Sequence, residues 1–335
     1  MIRVWFNHWF STAYRLIELI KEDDEEEIFV VGTNLQIDSV IQKVCDEWYE
    51  EPKLYGEEYI RYCLDFCREH NIDVFVPRRL MIEISKNKPR FEEIGVKVMV
   101  DDYNAIEMLG SKSETYEHFK GYENINIPDY FTVKNAQEFA EAYDALRKKH
   151  KQVCVKFVRD EGGMSFRKII ENVNEFDRLR MYQGTGISYN DLYTALSTKE
   201  EFDDLMVMPY LDGLEVSVDC LRTDSGTIAV PRIKSPTRQE RVVYDLEIIS
   251  MTANVLNKVN LQYPCNVQFR YDGDTLYLLE VNTRMSGGLQ MSCLASNVNI
   301  PNIALNKLLG KELQWNIDDE SDKIVSYIEI PQIIR

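Results

Sequence analysis

Residues 276–290 read LYLLEVNTRMSGGLQ, and residues 265–270, just before, read CNVQFR. The run from Leu276 to Val281 is short and largely apolar, as expected of a strand buried on both faces. Glu280, Asn282 and Arg284 follow at alternate positions, so a continuing strand aims all three at one face. A carboxylate, an amide oxygen and a guanidinium side by side suit magnesium and a polyphosphate; the plainer reading is a strand end with solvated polar residues. Asp272-Gly273-Asp274 is a turn signal, which makes the two stretches a hairpin and lets Gln268 and Glu280 face one ion from adjacent strands.

The remaining composition bounds the partners. A chain of 335 residues has room for two or three ordinary domains, and 44% hydrophobic with 28% charged residues is the balance of a globular protein. A formal net charge of −17 excludes a broad phosphate-tracking surface, so nucleic acid is not expected as a partner, while an anionic nucleotide needs a cation and a few placed basic residues. The first residues, MIRVWFNHWFSTAYRLIELIKEDDEEE, lack the pattern of a signal peptide, and no apolar run is long enough to span a membrane. Seven scattered cysteines without zinc-type clusters point to reduced thiols and a cytoplasmic location; Cys63 and Cys67, four apart, share a helix face as core residues.

Residues 1–110 alternate strand and helix: strands at 2–6, 27–32, 73–77 and 95–100, helices at 11–21, 59–70 and 81–93, the last broken near Pro89. Such alternation implies a doubly wound parallel sheet with ligands at the carboxyl ends of the strands. Arg78 and Arg79 stand at one such end and are candidates to hold a substrate carboxylate or phosphate. No G-x-G-x-x-G occurs there, which removes the main support for a dinucleotide site. Farther on, Ser111 and Glu114 have capping-box spacing, placing Lys112 in the first turn of a helix, where the dipole disfavours a cation. Lys156 lies inside an apolar strand, VCVKFV, and needs an anion or a strong acceptor. Gly162 and Gly163 form a hairpin-like loop with Ser165, able to bring backbone amides close to a phosphate. Lys234, Arg238 and Arg241 form a cationic cluster expected in a loop.

These motifs resemble the ATP-grasp superfamily over nearly the whole chain. The most specific part, Gln268 with Glu280 and Asn282, looks like the metal hairpin of the carbamoyl phosphate synthetase large subunit. The resemblance implies an N-terminal doubly wound (pre-ATP-grasp) domain at 1–110 and a two-lobed ATP-grasp fold, with a small lobe at 111–205 and a large lobe at 206–335. It implies that Gln268, Glu280 and Asn282 ligate magnesium, with manganese as the alternative ion. Lys112 and Lys156 would meet ATP phosphates under a loop containing Gly162, Gly163 and Ser165. Met208, Tyr210 and Leu211 match the connector around adenine, although many members have Glu where Met208 stands, and Glu215 matches the ribose carboxylate. Arg284 would meet the transferred phosphate; apart from the resemblance, the local cationic cluster offers Lys234 and Arg238 to assist it, and Ser286 with Gly287, just after the hairpin, is the expected floor of the acceptor pocket. The implied activity is an ADP-forming ligase that activates a carboxylate as an acyl phosphate and joins it to an amine; a homodimer is the assembly expected on general grounds. The alternatives are a phosphotransferase and a non-catalytic nucleotide-binding subunit.

Overall fold

A computed structural model describes residues 1–22, 26–160, 162–171, 176, 184–235, 237, 239–319 and 321–334. It divides into two compact units, one made of Met1–Leu109, Glu215–Gln268 and Val281–Arg335, the other of Gly110–Leu214 and Phe269–Glu280.

In the first unit, β1 (Ile2–Asn7), α1 (Ala13–Lys21), β2 (Ile28–Asn34), β3 (Glu47–Glu50), α2 (Gly56–Glu69), β4 (Val74–Val76), α3 (Met81–Lys86), α4 (Lys88–Glu92), β5 (Lys97–Val98) and α5 (Tyr103–Leu109) follow in order. Their strands form one parallel sheet in the order β3-β2-β1-β4-β5. The alternation of apolar runs and amphipathic segments produces this arrangement, as the sequence predicts. The break in the third helix falls at Asn87, with Pro89 in the first turn of α4, where its missing N–H costs nothing. Cys63 and Cys67 are buried on one face of α2 against Trp5, Phe75 and Val98.

The carboxyl ends of these strands carry a closed polar network. Glu51 accepts from Tyr59 and Arg79 at 2.8 Å each on one oxygen and from Thr33 at 2.8 Å on the other. Asn7 accepts from the Arg78 amide at 2.6 Å and donates to Tyr59 at 2.6 Å. The Arg79 guanidinium also reaches the carbonyls of Pro52 and Leu54 and lies on the ring of Tyr59. Arg79 is therefore a structural ion pair and not an open anion site, which corrects the substrate role read from its position; the Arg78 guanidinium lies against Phe10.

In the second unit, α6 (Lys112–Phe119), β6 (Phe131–Val133), α7 (Ala136–Arg147), β7 (Val153–Phe157), β8 (Arg167–Ile170), β9 (Gly186–Ser188), α8 (Tyr189–Leu196) and β10 (Leu205–Pro209) form a five-stranded sheet, order β6-β10-β7-β8-β9, with helices. Ser111 caps α6 by accepting from the Glu114 amide, the predicted capping interaction. A six-stranded sheet, order β15-β14-β11-β12-β13-β16, is built from β11 (Glu215–Thr223), β12 (Gly226–Lys234), β13 (Gln239–Val242), β14 (Cys265–Asp272), β15 (Thr275–Asn282) and β16 (Lys323–Ser326). The chain leaves the first unit after Gln268 and returns at Val281, within β14 and β15. Three further helices belong to the first unit: α9 (Leu246–Lys258), α10 (Leu289–Ser296) and α11 (Ile300–Leu309). One continuous core there joins β1 and β2, through Val4 and Val30, to Val230 on β12, Leu289 on α10 and Leu305 on α11.

Two predictions follow from buried charges. Arg79→Met strands the Glu51 carboxylate in the interior and is expected to cost about 3–5 kcal/mol in urea unfolding; a loss under 1 kcal/mol would contradict the pairing. Burial pushes the Asp101 carboxyl up to about 6, so the native state binds its proton more tightly than the unfolded chain. Stability is expected to fall by up to ~3 kcal/mol as pH rises through that window, and Asp101→Asn should flatten the unfolding midpoint between pH 4 and 7.

Candidate functional site

Within the second unit, strand alternation sorts the sheet into two faces. Val153 and Val155 of β7 and Leu205 and Val207 of β10 pack with Phe139 and Leu146 of α7. The intervening residues, Cys154 and Lys156, take the other face, paired in register with Met208 and Met206. Lys168 pairs with Cys154 from β8 and so shares this face. Lys156 is 9% exposed, its ammonium 5.6 Å from the centre of the Tyr116 ring. Burial pushes the Cys154 thiol up to about 12, while the charges of Lys156, Arg270 and Lys168 pull it the other way.

Lys112, which the helix dipole disfavours, donates to the Asp160 carbonyl at 2.7 Å, and its ammonium lies 4.0 Å from a Glu280 oxygen. The loop after β7 turns through Gly162 and Gly163 at φ of +65° and +66°, values a side chain would strain. Ser165 anchors the loop, its hydroxyl donating to Asp160 at 2.6 Å and accepting from the Phe157 amide at 2.9 Å. The connector after β10 is fixed by the Tyr210 amide on the Gln152 carbonyl at 2.9 Å, with Met208 and Leu211 buried. Gly213 lies so near the Tyr271 carbonyl that an added β-carbon would stand 2.6 Å from it.

In the first unit, Lys234 and Glu215 are ion-paired at 2.5 Å. Lys234 ends β12 and Arg241 lies on β13, opposite Ile233, so neither occupies the loop read from the sequence; Arg241 pairs with Asp322 at 3.8 Å. Arg238 lies outside the described residues. Gln268 donates to Asn266 at 3.2 Å, and its strand β14 neighbours β15, which carries Glu280 and ends at Asn282. Arg284 follows β15, its guanidinium reaching the Met285 carbonyl at 3.5 Å.

Ser286 belongs to a buried network that the sequence reading missed. Arg232, 2% exposed, pairs with Asp219 at 2.9 Å and with Glu240, and donates to Ser292 at 2.9 Å and to Ser286 at 3.2 Å. Ser286 and Ser292 each donate to Asp219 at 2.6 Å. Burial opposes the charge on Arg232, yet Asp219 and Glu240 hold its pKa above the ordinary value. Gly287 has Thr12 as its neighbour, whereas a β-carbon at Gly288 would stand on the Arg232 guanidinium. The available signal was an arginine in an apolar run, TIAVPRI, of the kind that singled out Lys156.

The family model described as ATP-grasp in the biosynthetic pathway with Ter operon matches residues 201–331. A carbamoyl phosphate synthase large chain from Clostridium acetobutylicum is 22% identical over 257 residues, covering 71% of this chain and 22% of that protein. A carbamoyl-phosphate synthase from Methanobrevibacter smithii is 24% identical, covering 78% of this chain and 70% of that protein. The chain thus spans about a fifth of the first of these relatives. Among solved structures, N5-carboxyaminoimidazole synthetase from Staphylococcus aureus complexed with ADP aligns with a TM-score of 0.73 at 14% identity, covering 98% of this chain and 82% of that one. The biotin carboxylase domain of Hydrogenobacter thermophilus 2-oxoglutarate carboxylase aligns at 0.70 and 19% identity, covering 96% and 73%. An ATP-grasp family model thus matches the C-terminal part of the chain, and the chain shares its fold with these solved structures.

Gly288→Ala is expected to displace the Arg232 guanidinium and destabilise the fold by about 2–4 kcal/mol, read as a lower melting temperature. A wild-type melting temperature in Gly288→Ala would disprove the close approach.

Proposed function

We propose that this chain is an ADP-forming ligase that activates a carboxylate with ATP and joins it to an amine. The observation that carries the reading is that Lys156 and Lys168 share one face of the five-stranded sheet, with Arg270 of β14 against Tyr210 and Lys112 beside Glu280, in a protein of formal net charge −17. Such a face suits a polyphosphate.

Lys112 and Lys156 hold phosphate oxygens, and the backbone around Gly162 and Gly163 covers them, with Ser165 fixing the loop. Connector backbone at Met208, Tyr210 and Leu211 holds the base, and Glu215 accepts from the ribose hydroxyls while retaining Lys234. Glu280, Gln268 and Asn282 would hold magnesium; a carboxylate and two amide oxygens are hard donors that fit this ion and leave room for water and phosphate. Magnesium, when bound, neutralises charge on the phosphates. In the first step a carboxylate oxygen attacks the terminal phosphorus, forming an acyl phosphate and releasing ADP. In the second an amine attacks the acyl carbon, displaces phosphate and loses a proton. Arg284, assisted by Lys234 and Arg238, stabilises the anionic oxygens in both steps by position and charge. Arg78, Ser286 and Gly287 are proposed for the acceptor side; Ser286 would act from a position fixed by Asp219 and Arg232.

The test is incubation with magnesium ATP and a panel of carboxylates, with and without amines, following ADP, AMP and phosphate. Amine-dependent release of ADP and phosphate is expected. A stable phosphorylated product would instead make the protein a phosphotransferase, AMP release would overturn both, and nucleotide binding without any product would make it a non-catalytic subunit. Glu280→Gln is expected to lower turnover at least ~100-fold while leaving the circular dichroism spectrum and melting temperature unchanged; retained turnover would remove Glu280 from the site.

A further inference from the structure

A cavity of about 520 Å³ lies between the chain after β5, helices α3 and α4, and the segment that follows α9, all within the first unit. Its volume is that of a small-molecule site and far exceeds what a metal ion fills. Asp101, in its wall, is 2% exposed. The Asp101 Oδ1 accepts from the Gln262 amide at 2.5 Å, whereas its Oδ2 is enclosed without a hydrogen-bond partner among the described residues. The main chain on either side is held in place: the Ser85 hydroxyl donates to the Asp101 carbonyl at 2.6 Å, and Lys307 donates to the Gln262 carbonyl at 2.8 Å.

A carboxylate oxygen shut away from water without a donor is costly. Burial raises the Asp101 carboxyl to about 6 against the pull of the Gln262 amide and Lys88, so near neutral pH most molecules carry its charge. The lysines of the wall direct their ammonium groups elsewhere. Lys88 donates to the Val100 carbonyl at 3.0 Å and to the Tyr263 hydroxyl at 3.4 Å, and Lys86 lies 5.7 Å from the centre of the Tyr103 ring. Glu92 and Asp102 are exposed at the same wall, so three carboxylates stand there against two ammonium groups. Tyr103 and Tyr263 add aromatic surface. An excess of carboxylate, one oxygen of it unmet, beside aromatic rings suits a cation of organic size. The terminal torsion of an aspartate is soft, and a small turn of the Asp101 carboxylate brings Oδ2 to a donor in the cavity.

We propose that this cavity binds a small organic ammonium ion, whose N–H groups meet the Asp101 carboxylate and whose carbon body lies against Tyr103 and Tyr263. The test is calorimetric titration of the full chain near neutral pH with benzylamine, with benzyl alcohol as its neutral counterpart and benzoate as its anionic one, repeated with Asp101→Asn and Tyr103→Ala. Benzylamine is expected to bind with a Kd of about 1 mM or below, and ~10-fold more tightly than either counterpart, the worth of one charge-assisted hydrogen bond. Asp101→Asn is expected to raise the benzylamine Kd ~10-fold while leaving that of benzyl alcohol within about twofold. Tyr103→Ala is expected to weaken benzylamine ~3-fold. Absence of benzylamine binding, equal binding of benzylamine and benzyl alcohol, a preference for benzoate, or a benzylamine Kd unmoved by Asp101→Asn overturns the proposal and leaves a cavity that holds water alone. If circular dichroism shows that Asp101→Asn does not fold, Tyr103→Ala decides in its place, and an unchanged benzylamine Kd overturns the proposal.

Discussion

The buried guanidinium of Arg232 is the constraint on which the first unit's candidate residues depend. An ion taken out of water is tolerated only when its partners repay the lost hydration. Asp219 and Glu240 supply the opposite charge, while Ser217, Ser286 and Ser292 meet the remaining donors. These partners come from β11, β13, α10 and the segment after β15, so satisfying one cation fixes four pieces of chain together. Ser286 lies two residues beyond Arg284 and six beyond Glu280 in sequence, and pinning it sets where the polar end of the hairpin strand continues. The demand for glycine at position 288 has the same origin, since the guanidinium occupies the space of a side chain.

The second unit handles its cations differently. Lys112 donates to a backbone carbonyl, and Lys156, Lys168 and Arg270 lie over aromatic rings. A ring orients a cation by its face, and the same three side chains oppose the raised pKa of Cys154. The strain of placing Lys112 in a helix's first turn fits the same pattern: the position brings its ammonium near Glu280 and the Asp160 carbonyl.

Much of the fold was legible because its signals are local. Apolar runs alternating with helical segments gave the parallel sheet, and the Asp272-Gly273-Asp274 turn gave the β14–β15 hairpin, with Gly273 at φ +56°. Short, half-exposed strands such as β3, β9 and β13 were not legible, since too few of their side chains are buried to impose a period of two. That is why Lys234 and Arg241 read as members of a loop although Lys234 and Glu240 are paired across β12 and β13. Arg79 shows a second limit. A strand-end arginine looks like an anion site until Glu51, 28 residues earlier, is found beneath it.

Lys156 and Arg232 presented one signal, a cation inside an apolar strand, and resolve it in opposite ways. Arg232 has a five-donor fork met by two carboxylates and three hydroxyls, a set that saturates it and leaves its geometry fixed whether or not a ligand is present. Lys156 presents a single ammonium to the Tyr116 ring, an attraction that orients the charge without the rigid fork of a guanidinium. A buried cation whose local partners are carboxylates has had its charge used by the fold. Lys156 and Lys168, which share one face of the five-stranded sheet in a protein with a formal net charge of −17, are the cations to which the phosphate role proposed above belongs.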